Sequence, residues 1–142
     1  MDFIRFYINF AYSIRIAFFI AKVWRIGGKG GIILFPDGVT IANGEATSWG
    51  TINGNSSWGT KCTSAQWTAL AAKGCVFLPA AGYRAGSSVS NAGSYGDYWS
   101  SSPYTSDVNY AYYVDFNSGS LSPANFNYRS FGLSVRLVRE VE

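Results

Sequence analysis

Short apolar runs alternate with turn-forming residues along most of the chain, which is the pattern of a protein built from short strands. Residues 32–35 and 75–79 are apolar runs, and residues 98–102 and 110–116 are rich in aromatic side chains. Each run ends at a proline or an asparagine, as expected where a strand meets a turn. The residues are Pro36, Pro79, Pro103 and Asn117. We predict a strand at each run, with the large ring of Trp99 in the core.

One segment, residues 63–73, has the signature of a helix. Thr63 or Ser64 can cap its first turn, and Gln66 follows Thr63 at the spacing of a capping box. Gly74 lies where a helix-ending glycine is expected. Its apolar face at helical spacing comprises Trp67, Leu70 and Ala71.

The last apolar pattern covers residues 131–138. Leu133, Val135 and Leu137 alternate with other side chains at the two-residue period of a strand. This alternation predicts a half-buried terminal strand, reaching residue 139, in the central sheet.

The N-terminal segment, residues 3–24, is apolar on nearly every side of a helix. Its longest charge-free run, residues 6–14, is shorter than the roughly 20 residues that a membrane-spanning helix needs. Three interpretations follow: a helix or strand packed on the domain, a membrane-proximal or signal-like segment, or a start that does not belong to the fold. Membrane association through residues 3–24 therefore stays open.

The Gly-rich residues 27–31 form the predicted domain boundary. We assign residues 1–26 to an atypical apolar and basic N-terminal segment, and residues 27–142 to the domain. Five of the eleven basic side chains lie within residues 1–30. The remainder of the chain is near neutral, which argues against a nucleic-acid partner.

The composition further limits the kinds of catalytic and metal site that the chain can form. Aromatic residues make up 18% of the chain and charged residues only 13%, which favours a β-rich domain with many loops. Histidine is absent, which excludes catalytic triads, Cys-His dyads and His-containing zinc sites. The eight acidic residues are scattered, and no pair has a spacing that suggests a metal or acid–base chemistry. We expect no enzymatic activity, no cofactor and no metal.

Four motifs together resemble a known family. They are FLPAAGYR at residues 77–84, GSYGDYWSSS at 93–102, FNSG at 116–119 and SVRLVR at 134–139. The set resembles the Fibrobacter succinogenes major paralogous domain of gut bacteria and their phages. That type includes the variable proteins of diversity-generating retroelements and is similar to the formylglycine-generating-enzyme superfamily.

The resemblance implies an α+β, C-type-lectin-like fold: a small twisted antiparallel sheet, one or two helices and a long, loop-rich C-terminal half. It implies a non-catalytic ligand- or receptor-binding display module, on a cell surface or phage particle, with a protein or glycan ligand. The alternative is a structural or adhesin-like domain that packs on neighbouring domains or subunits, which allows an oligomer. The cysteine pair of the enzymatic relatives and the calcium ligands of the sugar-binding ones are both missing here.

Residues 104–129 are the candidate binding segment, because Tyr, Ser, Gly and Asn are the residues of binding loops. From residue 74 to residue 139 there is no Lys, Glu, Gln or Met and one Trp, as expected for diversified codons that end in a pyrimidine. The candidate ligand-binding residues are Tyr104, Ser106, Asp107, Asn109, Tyr110, Tyr113, Asn117, Asn125, Asn127 and Tyr128.

Strand alternation predicts which tyrosines of this segment face solvent. Tyr113 shares one face with Asp115, and Tyr110, Tyr112 and Phe116 share the other. Since burying an unpaired carboxylate is costly, we expect the face with Tyr113 to be the wetter one.

Overall fold

The structure is a computed structural model that describes residues 6–7, 17–36, 58 and 61–137. Ten strands and one helix, α1 (Ser64–Ala72), form the described part. The strands are β1 (Phe6–Tyr7), β2 (Ala17–Ile26), β3 (Lys29–Pro36), β4 (Lys61–Cys62), β5 (Val76–Pro79), β6 (Tyr83–Ala85), β7 (Ser88–Ser90), β8 (Tyr95–Pro103), β9 (Tyr110–Asn117) and β10 (Leu121–Tyr128).

The first sheet has the strand order β1-β2-β3-β5, and the short β4 pairs in parallel with the last two residues of β2, on the side of β2 that does not face β3. β2 and β3 form a hairpin closed by Gly27 and Gly28, whose φ angles are +56° and +81°. Two consecutive left-handed residues suit the tight hairpin turn that matches the twist of the strands, and glycine adopts them without steric cost. The predicted domain boundary therefore coincides with the turn of a hairpin.

β3 is the central strand of the core because both of its faces are covered. Ile32 and Leu34 point to one side, toward the second sheet, and Ile33 and Phe35 point to the other, toward α1. All four side chains are buried. A strand buried on both faces is a continuous apolar run in sequence, which explains why residues 32–35 show no alternation.

The predicted helix is confirmed at α1. The Thr63 side chain accepts a hydrogen bond from the Gln66 amide at 3.2 Å, and the Gln66 side chain accepts one from the Thr63 amide at 2.9 Å. Gly74, with a φ of +84°, follows the last turn. Of the predicted apolar face, Leu70 is buried and Trp67 half-buried against Phe77, whereas Ala71 is exposed.

We predict that Thr63→Ala lowers the free energy of unfolding by about 1 kcal/mol, because it removes the side-chain acceptor of the capping box. Thr68→Ala is the matched control: Thr68 is exposed within α1, and its hydroxyl donates a hydrogen bond to the Ser64 carbonyl of the same helix, at 2.9 Å. That change is expected to stay within about 0.5 kcal/mol. Urea unfolding of both variants measures the difference, and equal losses would contradict a capping role.

The second sheet, β10-β9-β8, packs on the first through one end of one face. Phe116 is fully buried, with its ring stacked on Tyr98 at 6.0 Å and edge-on to Trp58 at 6.3 Å. Gly96 lies opposite Phe116 in the strand register, and a Cβ at Gly96 would overlap the Phe116 ring. The glycine therefore makes room for the Phe116 ring between the two sheets.

The expected α+β, C-type-lectin-like fold is wrong. The described chain is mostly strand, in sheets of five, three and two strands whose pairing is almost entirely antiparallel, with one short helix. Its C-terminal half is not loop-rich, because β5 to β10 occupy most of residues 76–128. The abundant Gly, Ser and Asn residues were interpreted as loop, yet many of them lie within strands or in the tight turns between them.

The predicted terminal strand is also wrong. Residues 131–137 form only isolated bridges, Arg84 with Gly132 and Tyr98 with Ser134. Leu133 is buried, whereas Val135 is 66% and Leu137 84% exposed. The segment passes from the edge of β6 to the edge of β8, so one of its three alternating side chains reaches the core. Residues 138 and 139 lie outside the described residues.

Part of the N-terminal prediction can be compared with the structure. Residues 17–26 form β2, a strand of the first sheet, which is the first of the three interpretations of this segment. Residues 1–5 and 8–16 lie outside the described residues. In the described part of the chain, no helix is long and apolar enough to cross a membrane.

Candidate functional site

The second sheet carries a cluster of aromatic rings at the end that lies away from the core. We call it the aromatic face and define it by Tyr110 and Tyr112 of β9, Phe126 and Tyr128 of β10, and Tyr104 of the β8–β9 loop. Phe126 is 46% and Tyr128 49% exposed, and the other three are half-buried. Large contiguous patches of exposed apolar surface mark interaction sites in proteins.

Strand pairing brings these rings together. Phe126 lies directly opposite Tyr112, and Tyr128 directly opposite Tyr110. Cross-strand neighbours lie within ring-contact distance. Residues 125–128 alternate between asparagines on one side of β10 and aromatic rings on the other. Both β10 rings therefore lie on the same face as Tyr110 and Tyr112 of β9.

Ring-to-ring contacts run across the whole face. Tyr104 stacks on Phe126 at a centroid distance of 4.5 Å, and its edge contacts Tyr112 at 5.2 Å. Tyr110 lies 4.3 Å from Tyr128 and 5.7 Å from Phe126. Offset and edge-on contacts of this kind stabilise aromatic pairs, so the rings are held in place before any partner binds.

The Tyr110 phenol is a neutral hydrogen-bonding group at physiological pH. A hydrogen bond with Tyr128, together with the nearby Asp107 and Tyr104, raises the pKa of Tyr110 to about 12. A neutral phenol both donates and accepts a hydrogen bond. The face therefore offers polar groups at the ends of large apolar rings.

A polar rim borders the face on the side of the β8–β9 loop. The Asp107 carboxylate accepts hydrogen bonds from the Asn109 amide at 2.8 Å and from the Asn109 side chain at 2.9 Å. Arg129 donates to the Tyr110 carbonyl at 2.9 Å through Nε and is exposed. Ser106 is exposed in the same loop. These contacts fix the loop next to Tyr110 and leave polar groups at its surface.

Three of the sequence-predicted residues lie on the opposite face of the sheet. Tyr113 is 7% exposed, so the expectation that it lies on the wetter face is wrong. Its ring packs edge-on to the half-buried Trp99 at 6.1 Å, and its hydroxyl accepts a hydrogen bond from Asn125 at 3.1 Å. Asn127 also lies on this side of β10 and is half-buried.

A fourth residue, Asn117, lies at the other end of the sheet. Its side chain accepts hydrogen bonds from the Gly119 amide at 2.8 Å and the Ser120 amide at 2.9 Å, which closes the β9–β10 turn. This Asx turn gives Asn117 a structural role. Of the ten predicted residues, the structure brings together at the aromatic face Tyr104, Ser106, Asp107, Asn109, Tyr110 and Tyr128.

The sequence prediction missed two members of the face, Tyr112 and Phe126. Tyr112 was assigned to the buried side of β9 along with Phe116, although the two side chains lie at opposite ends of one face. Phe126 was missed because no strand was predicted over residues 122–129. The alternation of Asn125, Phe126, Asn127 and Tyr128 is the signal that could have identified a strand there.

Within the described residues, no three His, Cys, Asp or Glu side chains come close enough together to hold a metal ion. Comparison with protein families gives one match: a domain of unknown function (DUF8237), over residues 49–138. That range includes α1, all of β4 to β10 and the whole aromatic face. No curated protein and no solved structure matches the chain.

Proposed function

We propose that this chain, which belongs to the DUF8237 family, is a non-catalytic binding module that holds a protein or glycan ligand on its aromatic face. The observation that carries the proposal is the continuous set of five rings whose β10 members are about half exposed. The matched family range spans the entire β8-β9-β10 sheet, which supports placing the binding surface on the family's own domain.

The energetics of the face favour binding over a purely structural role. Tyrosine and phenylalanine offer large contact areas and lose little side-chain entropy when they bind, because each has two rotatable bonds. The mutual ring contacts reduce that cost further, since rings already held in position lose less freedom. The surrounding polar groups, Asp107, Asn109 and Arg129, supply the hydrogen-bonding rim typical of binding surfaces.

The position of the face in the fold supports the same conclusion. β9 is the middle strand of its sheet, with Phe116 anchored in the core at one end and Tyr110 and Tyr112 presented at the other. A rigid strand is a more accurate support for a binding surface than a loop is. The aromatic face therefore lies on a platform that the hydrophobic core holds in place.

We predict that Tyr110→Ser, Phe126→Ser and Tyr128→Ser each weaken ligand binding at least tenfold. A tenfold loss corresponds to about 1.4 kcal/mol, which is modest for an aromatic side chain at the centre of an interface. An oligosaccharide array and a phage-displayed peptide library supply the probes. Titration calorimetry with the strongest probe then compares the variants with the unmodified chain.

Tyr95→Ser is the matched control, because Tyr95 is 37% exposed on β8 and lies outside the aromatic face. It should change the dissociation constant less than twofold. Binding that survives all three substitutions in the face, or that is lost equally in the control, would contradict the proposal. A dimer in sedimentation velocity that Phe126→Ser dissociates would instead assign the face to packing between subunits.

A further inference from the structure

Two carboxylates meet on the opposite face of the second sheet, although they lie 18 positions apart in sequence. Asp97 of β8 is directly opposite Asp115 of β9 in the antiparallel register. Side chains at directly opposed positions are close neighbours, and like charges there destabilise the pair of strands. The separation in sequence hides this pair from any search for closely spaced acidic residues.

Burial makes the pair more unfavourable when it is ionised. Asp97 is 6% exposed and Asp115 half-buried, and Oδ2 of Asp97 and Oδ1 of Asp115 have no hydrogen-bond partner in the described structure. A buried carboxylate oxygen without a partner is costly when charged. Protonation of either carboxyl removes one charge and supplies a donor for the other.

Among the residues that the structure describes, the groups around the pair supply no compensating positive charge. Tyr113 of β9 is the neighbouring phenol, with Tyr83 of β6 close to it, and the Asn125 side chain on β10 forms a hydrogen bond with Asp115. The strand-like residues 132–134 contribute backbone groups, including the Ser134 amide, which donates to the Asp97 carbonyl at 2.9 Å. Arg136 follows them and is exposed; its charge acts on the Tyr98 phenol.

Burial raises the pKa of both carboxyls. Burial, with a further contribution from Asp115, raises the pKa of Asp97 to about 6. Burial also raises the pKa of Asp115, against a weaker lowering by the hydrogen bond from Asn125. Neither shift has a cation among its causes.

We propose that Asp97 and Asp115 share a proton, and that losing it as the pH rises weakens the pairing of β8 with β9. The pair is then a pH-sensitive element in the sheet that carries the aromatic face, and it requires no ligand. Because the folded pKa lies above the unfolded value of 3.8, the stabilisation is complete below pH 3.8 and is lost as the pH rises through about 6.

The test compares thermal melting of the unmodified chain and of Asp97→Asn between pH 5.0 and pH 7.5. The unmodified chain should melt several degrees lower at pH 7.5 than at pH 5.0. Asp97→Asn mimics the protonated acid, so it should lose most of that difference and melt higher than the unmodified chain at pH 7.5. Asp115→Asn should behave in the same way.

Asp107→Asn is the matched control, because it removes a carboxylate from the loop at the far end of the same sheet and keeps the oxygen that Asn109 uses. Its pH profile should run parallel to that of the unmodified chain. If Asp97→Asn does not fold, ¹³C NMR titration of the aspartate carboxyls in the unmodified chain gives the answer directly. An Asp97 carboxyl that titrates near 4 would overturn the proposal. The proposal would also be overturned if calcium raised the melting temperature of the unmodified chain but not that of Asp97→Asn, since the pair would then bind a cation.

Discussion

Replacing Phe116 with alanine is expected to lower the free energy of unfolding by about 3–5 kcal/mol, enough to unfold a marginally stable domain. Phe116 is fully buried and contacts both Tyr98 and Trp58. Alanine would leave a cavity where the two sheets meet, and the loss of stability includes both the lost burial of apolar area and the cost of the empty space. Urea unfolding monitored by circular dichroism measures the change.

The matched control is Phe126→Ala, the same substitution on the neighbouring strand. Phe126 is 46% exposed, so its loss should cost about 1 kcal/mol or less. The contrast tests the central feature of the sheet, that one end is core and the other is surface. If Phe126→Ala destabilised the protein as much as Phe116→Ala, the aromatic face would be part of the core and the binding proposal would fail.

Gly96→Ala is expected to destabilise the protein by about 1–3 kcal/mol, although alanine normally suits a strand better than glycine does. A Cβ at this position would overlap the Phe116 ring, so either the ring or the β8 backbone must move. Circular dichroism in urea gives the magnitude. A neutral or stabilising effect would show that the ring is not held against Gly96.

A double-mutant cycle distinguishes this steric effect from a general loss of strand stability. In a Phe116→Leu background the aromatic ring is absent, so Gly96→Ala should cost much less than it does in the unmodified chain. Directly contacting residues give coupling energies of about 0.5–3 kcal/mol in such cycles. Additive effects of the two substitutions would contradict the packing of Phe116 over Gly96.

Several elements were predictable because the interactions that form them are local. The capping box of α1 is formed by Thr63 and Gln66, three residues apart, and its spacing is visible in the sequence. Residues 32–35, 75–79 and 110–116 were correctly predicted as strands because each apolar run ends at a turn-forming residue. The terminal pattern at residues 131–138 resembled these strands but failed, because alternation alone does not supply a neighbouring strand along its full length.

The candidate site was likewise predicted only in part from the sequence. Composition identified residues 104–129 as the segment with binding character, and Tyr104, Tyr110 and Tyr128 do lie together on one face. Strand alternation gave the wrong face for Tyr113, because the prediction used the charge of Asp115 as a sign of exposure. That carboxyl is instead half-buried opposite Asp97, and burial raises its pKa.

The sequence by itself determined the local elements and the kind of side chain available for binding, because capping, turn formation and apolar runs depend on residues close together in the chain. Only the tertiary structure decided the fold class, the pairing of Asp97 with Asp115 and the division of β9 into a core end and an aromatic end. The physical reason is that strand register and sheet packing bring together residues far apart in sequence. Those contacts, rather than the residue types alone, determine which side chains are buried and which remain available to a partner.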